Sequence, residues 1–514
     1  MLDRHDVVGK GFEQFTGILS GAIARISALQ LYAASFAWLS VLAWARPLSS
    51  PDEARYTDIP RWMVESGDWL LPRINGLPFV HKPPLYFWME AGLMKVFGLS
   101  AFVARLPSLS AAILICICVY ELVREFADER AAFWSVAVMV FNPLFYGSAQ
   151  YADMNMLAAS LITASLTCAV LATRCAPHQA RRERVLWLCA YLAAGLGVLA
   201  KGLIGALLPG LIFVLYAGLR GQWPLLWRAV SIPGLLLFFA TVAPWFAAME
   251  YQLPGFAHYF FIFQHFTRYT TAEFNNPHGI WFYPVILFTG MVPWTIVSFP
   301  LWRQLLRTSP TRLSSLQILA LIWLGVVVVF FSIPSSKIIG YMLPVVPAFA
   351  ILVGPWIAER HDWLRAVAVG ASLCVVGVVA AVLFQPQGTA VAAAQIRHQV
   401  RQGDKVVFYG DYYFDAALVL NRHAPTYVVA DWTRPSKEMR DSVARQLTEG
   451  REFDQKSGQV LIGDAEFLAL VNEADSLWVV VRHKPGTKPP AILDGLAVVV
   501  SQNGVTVLRK PPRT

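Results

Sequence analysis

Apolar runs about as long as a bilayer is thick recur along this chain up to about residue 385. A helix that crosses hydrocarbon needs about 20 mostly apolar residues. Eleven such runs lie near 27–46, 101–123, 131–149, 154–173, 185–199, 203–219, 229–249, 281–301, 314–333, 338–357 and 365–385. Broken helices would raise the total to 12 or 13. Lipid offers no hydrogen bonds, so each run must satisfy its own backbone as a helix. Charge agrees: Asp, Glu, Lys and Arg make up 15% of 514 residues, against about 25% in a soluble chain. A soluble enzyme is excluded, and so is a disordered chain, which needs low hydrophobicity and high charge. The expectation is a mainly α-helical polytopic membrane protein. The first run is read as an uncleaved anchor, being long and without a small-residue cleavage site after it.

Loop charges set the orientation. With the N-terminus in the cytoplasm, the inner loops hold 13 basic residues, from Arg124 to Arg365. The outer loops after the first long one hold only Lys201, Arg268 and Lys337. This asymmetry favours that topology over its inverse and puts the C-terminus outside. Two outer segments, 47–100 and 250–280, are too long to be simple connectors, and loops of that length usually carry function. Residues 83–98 are apolar but interrupted by Pro83, Pro84, Glu90 and Lys95. They predict an amphipathic helix lying in the outer interface rather than a span.

Residues 1–385 are thus expected to form the membrane domain. Residues 386–514 differ, with 16 basic and 14 acidic residues and no long apolar run. Strand-like runs at 405–410, 426–430, 459–464 and 477–483 alternate with helix-like runs at 435–450 and 464–474. The end reads as a hairpin turning at Asn503-Gly504. A small α/β domain on the outer face follows. None of the six cysteines lies in it, so no disulfide framework is implied. The net charge of +9 sits mainly on inner loops and explains topology, not nucleic-acid binding.

Ionisable residues collect at the outer ends of the runs. In SPDEARYTDIPRWM (50–63), Ser50 and Glu53 fit a capping box, with Pro51 at the first helical position. Carboxylates in a first turn also stabilise the helix dipole without any other role. The functional reading is that Asp52, Arg55 and Tyr56 share one helix face at the membrane surface. Lys82, between His81 and Pro83, is either a snorkelling lysine or a compact cation suited to phosphate. Asp153 is either a helix cap or a second carboxylate facing Asp52. Lys201, Lys337 and Tyr341 lie at further outer ends. In the second long loop, His265 and Arg268 are the polar points among aromatics. The spacing of His258, His265 and His278 does not suit a metal site. Ionisable residues near a span are costly and often functional.

The ordered set PDEARY (51–56), SGDW-x-x-P (66–72), HKPPLYFW (81–88), Asp153, AKGLIG (200–205), PGF…HF-x-R (254–268) and SK-x-x-x-YMLP-x-x-P (336–347) resembles a known family. It is similar to the lipid-phosphosugar-dependent glycosyltransferases of the glycosyltransferase C superfamily. The bacterial aminoarabinose transferases are the nearer branch, and the protein O-mannosyltransferases more distant relatives. The resemblance covers most of residues 27–357 and implies that fold.

It also implies roles. Asp52 matches the acidic residue proposed as catalytic, with Arg55 and Tyr56 at neighbouring positions. Lys82 and Arg268 match positions that hold the donor phosphate, and Arg55 is taken as a third donor-phosphate candidate. Asp153, Lys201, His265, Lys337 and Tyr341 match cavity-lining positions; Asp153 is taken as a second catalytic candidate and Glu53 as a further cavity residue. The residue before the lysine is commonly acidic in the aminoarabinose branch, whereas here it is His81, which bears on amino-sugar recognition. The implied reaction moves a sugar from undecaprenyl phosphate to lipid A or another acceptor at the periplasmic face of the bacterial inner membrane, with inversion. No cofactor is required; a divalent metal is possible but not indicated. The expected partners are the lipid-linked donor, the acceptor and membrane lipids, with the protein as a monomer. The alternatives are another sugar or acceptor (a lipopolysaccharide core, another glycolipid, or protein Ser/Thr) and, more distantly, a lipid-linked sugar transporter.

Overall fold

The apolar runs become helices of unequal length. A computed structural model describes residues 26–267, 277–360, 363–385, 388–401 and 403–510. Among these residues six helices are long and apolar enough to cross a membrane: Ala101–Phe126, Met154–Arg174, Pro177–Lys201, Ile232–Gln252, Ser315–Ser332 and Trp363–Phe384. A seventh is the pair Glu129–Val140 and Pro143–Ala149, bent by 69°. Asn142 causes the bend: it accepts from the amides of Leu144 (3.0 Å) and Phe145 (3.3 Å), capping a new helix whose first residue is a proline.

The other four of the eleven runs form shorter helices. Ala28–Ser40 has 13 residues, Ile204–Leu219 has 16 and Val345–Ala358 has 14. The run at 281–301 breaks into Phe282–Gly290, Trp294–Val297 and Phe299–Arg307. Pro293 and Pro300 lack the amide hydrogen that an uninterrupted helix needs.

The chain divides into two compact units. The first comprises Met1–Arg46, Pro107–Ala243 and His278–Val382; the second comprises Pro47–Leu106, Pro244–Pro277 and Leu383–Thr514. The unit boundaries fall within three helices, at the internal prolines Pro107 and Pro244 of two and near the end of Trp363–Phe384.

The first unit is helical and packs through small residues, as helices do where hydrophobicity alone cannot drive them together. A Cβ on Gly205 would come within 2.1 Å of the backbone of Gly197. One on Gly354 would come equally close to the Ser135 hydroxyl. Only glycine permits these approaches. On Trp363–Phe384 the exposed residues Val369, Leu373, Val376 and Leu383 form an apolar stripe suited to lipid.

The second unit joins both long loops to the C-terminal region. Its first helix, α1, is Asp52–Ser66. A small hairpin follows: β1 (Arg73–Ile74) and β2 (Leu77–Pro78) turn at Asn75-Gly76, both with positive φ. Helix α2, Leu85–Phe97, has 13 residues, too few to span, as 83–98 predicts. It buries Tyr86, Phe87, Glu90, Ala91 and Met94, and exposes Val96 and Phe97.

The C-terminal strands are β3 (Lys405–Tyr409), β4 (Tyr427–Val429), β5 (Leu461–Ile462), β6 (Leu477–Arg482), β7 (Ala497–Gln502) and β8 (Val505–Lys510). The sheet order is β5-β4-β3-β6-β8-β7, with β5 to β6 parallel and the last two antiparallel. The hairpin at Asn503-Gly504 forms as predicted, with φ of 51° and 75°. The helix-like run at 435–450 resolves into a 3-10 turn, Ser436–Glu438, and a helix α3, Val443–Phe453, capped by Ser442.

Candidate functional site

In the second unit the site begins at the start of α1. Asp52 is the first residue of the helix and its side chain is 56% exposed. Arg55, one turn on, donates to Asp52 Oδ1 at 2.8 Å. Its guanidinium also lies 4.9 Å from the centroid of the Tyr56 ring. Asp52, Arg55 and Tyr56 therefore do share one face, and Asp52 offers an accessible carboxylate.

The capping box read at Ser50 and Glu53 does not form. No side chain caps α1, and Pro51 sits before its first residue. Glu53 is fully buried and accepts from Arg105 Nε at 2.9 Å and Arg105 Nη2 at 3.1 Å. It also accepts from the amide of Ser49. A buried carboxylate bound this way holds the start of α1 and is closed to a substrate. The sequence reading of Glu53 as a cavity residue is corrected accordingly. Breaking such a buried pair costs about 3–5 kcal/mol, because the remaining charge has no partner.

Burial continues along α1. Asp58 pairs with Arg61 at 2.6 Å and accepts from the Tyr412 hydroxyl at 3.0 Å. Arg61 also donates to the carbonyl of Arg422. Asn75 exchanges two 2.8 Å bonds with the backbone of Thr426. The first loop and the C-terminal region are thus stitched together by buried polar contacts.

Lys82 is half-buried and precedes two prolines, which restrict it to extended backbone. Its neighbour His81 is buried, stacked on Phe79 with ring centroids 5.1 Å apart. Its Nε2 lies 2.5 Å from Glu449 Oε2. Gln264, from the second long loop, lies 3.1 Å from His81 Nδ1 and donates to the Tyr259 hydroxyl at 2.7 Å. Glu449 is completed by Arg445 at 3.0 Å. Burial pushes its carboxyl up, but the nearby His81 and Arg445 outweigh that, so it titrates below the usual range. Burial and the adjacent Glu449 carboxylate drive the Tyr259 phenol far up, keeping it a neutral donor.

Glu90, on α2, is wholly buried and neither carboxyl oxygen has a hydrogen-bond partner of good geometry. Burial, helped by Glu53, raises its pKa well above the usual carboxylate range against an opposing contribution from Thr57. Arg268 lies outside the described residues. Of His265 only the backbone is described, within the π-helical segment Tyr259–Thr267; such segments are frequent at functional sites.

The first unit carries its own polar set. Asp153 caps Met154–Arg174, accepting from the amide of Asn155 at 2.7 Å. Capping, one of the two readings of Asp153, is therefore present. Its other oxygen is bonded by the Asn155 amide side chain, whose oxygen in turn accepts from Lys201. Lys201 also sits 4.5 Å over the centroid of the Tyr341 ring. Asp153, Lys201 and Tyr341, far apart in sequence, are brought together with Asn155 as the link. Lys337 is buried and donates to the carbonyls of His278 (2.9 Å) and Pro334 (2.5 Å). Burial lowers its pKa. These bonds staple the loop after Ser315–Ser332.

Sequence reasoning missed Asn155, Gln264, Gln446, Glu449 and Arg105. Asn155 and Arg105 were detectable as polar groups in apolar surroundings. Gln264, Gln446 and Glu449 give no local signal. Among the described residues, no group of three or more His, Cys, Asp or Glu side chains is placed to hold a metal ion.

Comparison with known proteins points one way. The family model described as dolichyl-phosphate-mannose-protein mannosyltransferase matches residues 81–247. An undecaprenyl phosphate-α-4-amino-4-deoxy-L-arabinose arabinosyl transferase from Sodalis glossinidius is 28% identical over 325 residues, covering 62% of this chain. The chain spans 57% of that relative's length. Among solved structures, ArnT from Cupriavidus metallidurans bound to undecaprenyl phosphate superposes with a TM-score of 0.80 at 22% identity, covering 94% of this chain and 97% of that one. The archaeal oligosaccharyltransferase AglB from Archaeoglobus fulgidus gives 0.53 at 14% identity, covering 88% and 69%. The resemblance read in the sequence is borne out. The fold is that of these solved structures, in a multi-span membrane protein with a C-terminal sheet-containing region.

Proposed function

We propose that the chain is an inverting glycosyltransferase that moves a sugar from undecaprenyl phosphate to an acceptor at the periplasmic face of the inner membrane. The sugar is 4-amino-4-deoxy-L-arabinose and the acceptor lipid A. The N-terminus is cytoplasmic and the C-terminal region periplasmic. One observation carries this reading: Asp52 presents an exposed carboxylate, oriented by Arg55, at the head of a helix whose next turns are buried. The names of the relatives support the donor and the sugar.

The chemistry follows from residue types. The leaving group is a lipid phosphate, and its growing charge must be neutralised. Lys82 supplies a cation in the unit that holds Asp52, and Arg268 a second by the family resemblance. In a water-poor site such charges contribute more than in water. Attack from the opposite face of the anomeric carbon inverts it. With a hydroxyl acceptor, Asp52 takes the proton as general base. With a lipid A phosphate, already ionised, Asp52 orients the acceptor or stabilises positive charge at the anomeric carbon. No nucleotide is needed, because the lipid phosphate leaves by itself once neutralised.

The test is direct. Purified protein given the lipid-linked aminoarabinose and lipid A should release undecaprenyl phosphate and add one pentosyl amine to lipid A, read by mass spectrometry. Release with a different sugar or acceptor, and none with this pair, would keep the chemistry and replace the substrates. No release from any polyprenyl-phosphate sugar would reject the reading.

A further inference from the structure

The Asp52–Arg55 pair lies on α1 and the His81–Lys82 step lies in the segment after β2. Each is touched by the same distant helix. On α3, Gln446, Glu449 and Gly450 are spaced i, i+3 and i+4, which puts them on one face. Gln446 Oε1 accepts from Arg55 Nη1 at 3.2 Å. Glu449 Oε2 meets His81 Nε2 at 2.5 Å. Gly450 sits directly on the hairpin: a Cβ there would lie 2.6 Å from the carbonyl oxygen of Pro78. The three contacts fall on Arg55, His81 and the strand leading to Lys82.

Their physics makes them more than packing. A guanidinium is planar, so fixing Nη1 fixes Nη2 as well. Arg55 uses Nη1 for Gln446 and Nη2 for Asp52. Gln446 therefore sets the direction from which Arg55 meets the carboxylate. His81 is joined to Lys82, and the prolines after it leave Lys82 little backbone freedom. An anchored His81 ring then fixes where the Lys82 stem starts. Glu449 is only 2% exposed, and burying an ionised carboxylate costs several kcal/mol before pairing. Arg445 on the same helix already pairs one oxygen. The other oxygen faces the His81 ring.

We propose that Gln446 and Glu449 are positioning residues of the transferase, holding Asp52 through Arg55 and Lys82 through His81, so that the C-terminal region completes the site. The inference rests on the assignment of Asp52 and Lys82 above.

Steady-state kinetics of the full-length protein, with the lipid-linked sugar as varied substrate, tests it. Glu449→Gln should raise the donor KM about tenfold and leave kcat nearly unchanged, because the phosphate cation is displaced. Gln446→Ala should lower kcat about tenfold and leave KM nearly unchanged, because the carboxylate is misdirected. Double variants separate positioning from general stability. In a Lys82→Ala background Glu449→Gln should add nothing to the donor KM, and in an Asp52→Asn background Gln446→Ala should add nothing to the kcat loss. Additive losses in both cycles would mean the two residues only hold the fold, and would overturn the proposal. Should Glu449→Gln fail to fold, Gln446→Ala, which removes a single bond, still decides through its own cycle. Wild-type constants in Glu449→Gln and Gln446→Ala, with Lys82→Ala and Asp52→Asn impaired, would overturn this inference alone. Normal turnover in Lys82→Ala and Asp52→Asn would overturn the site assignment and this inference with it.

Discussion

The two units hold their functional groups by opposite means. In the first, Asp153 is bonded by its own helix start, and Lys201 rests on an amide oxygen and the face of Tyr341. In the second, buried carboxylates are bound to guanidinium groups: Glu53 to Arg105, Asp58 to Arg61, and Glu449 to Arg445, with the His81 ring against its other oxygen. An apolar bundle built on close helix contacts needs few polar anchors. The second unit is assembled from two loops and an α/β region distant in sequence. Its pieces are tied by buried ion pairs, which fix geometry more than they add stability.

That contrast can be broken at its strongest point. Arg105→Ala leaves Glu53 buried without its cation, and should destabilise the second unit by about 3–5 kcal/mol. Amide exchange across α1 should rise while Met154–Arg174 keeps its protection. Equal loss in both would show that the units do not differ in this way.

The next test uses pH. Glu90 has a raised folded-state pKa, so it contributes most to stability below the unfolded value of 4.5. That contribution falls as pH rises through the interval up to the raised value. Replacing it by a neutral isostere removes the dependence. Glu90→Gln should therefore stabilise the protein by about 1–3 kcal/mol at pH 7, and by little at pH 4. Thermal unfolding at both pH values reads this. Destabilisation by Glu90→Gln at pH 7 would mean that Glu90 is ionised and paired.

The smallest effect belongs to the first unit. Asn caps a helix as well as Asp does. Asp153→Asn should keep stability to within about 0.5 kcal/mol. Any larger fall in turnover then isolates a role for the carboxylate from its role as a cap. Unchanged turnover would leave Asp153 as a cap alone.

The same contrast explains what the sequence could reveal. Met154–Arg174 and its cap were legible because an apolar run and the aspartate before it are adjacent in the chain. The strands of the α/β region were legible for the same reason, as was the Asn503-Gly504 turn. The hairpin at Asn75-Gly76 carried an equal signal but was not read within the long outer segment 47–100. Glu53 misled, because a carboxylate three residues after a serine imitates a cap while its partner Arg105 is 52 residues away. Gln446 is 391 residues from Arg55, and no spacing rule reaches so far. The short helices of the 281–301 run also escaped, since hydropathy averages over the prolines that divide it.

The account rests on Asp52 and Lys82 acting together on a lipid-linked sugar. The most direct measurement is release of undecaprenyl phosphate by the purified wild type, Asp52→Asn and Lys82→Ala, with folding checked by thermal unfolding. The account predicts release by the wild type and a loss of about 100-fold or more in each variant, with melting temperatures nearly unchanged. Wild-type release rates in both variants would contradict it.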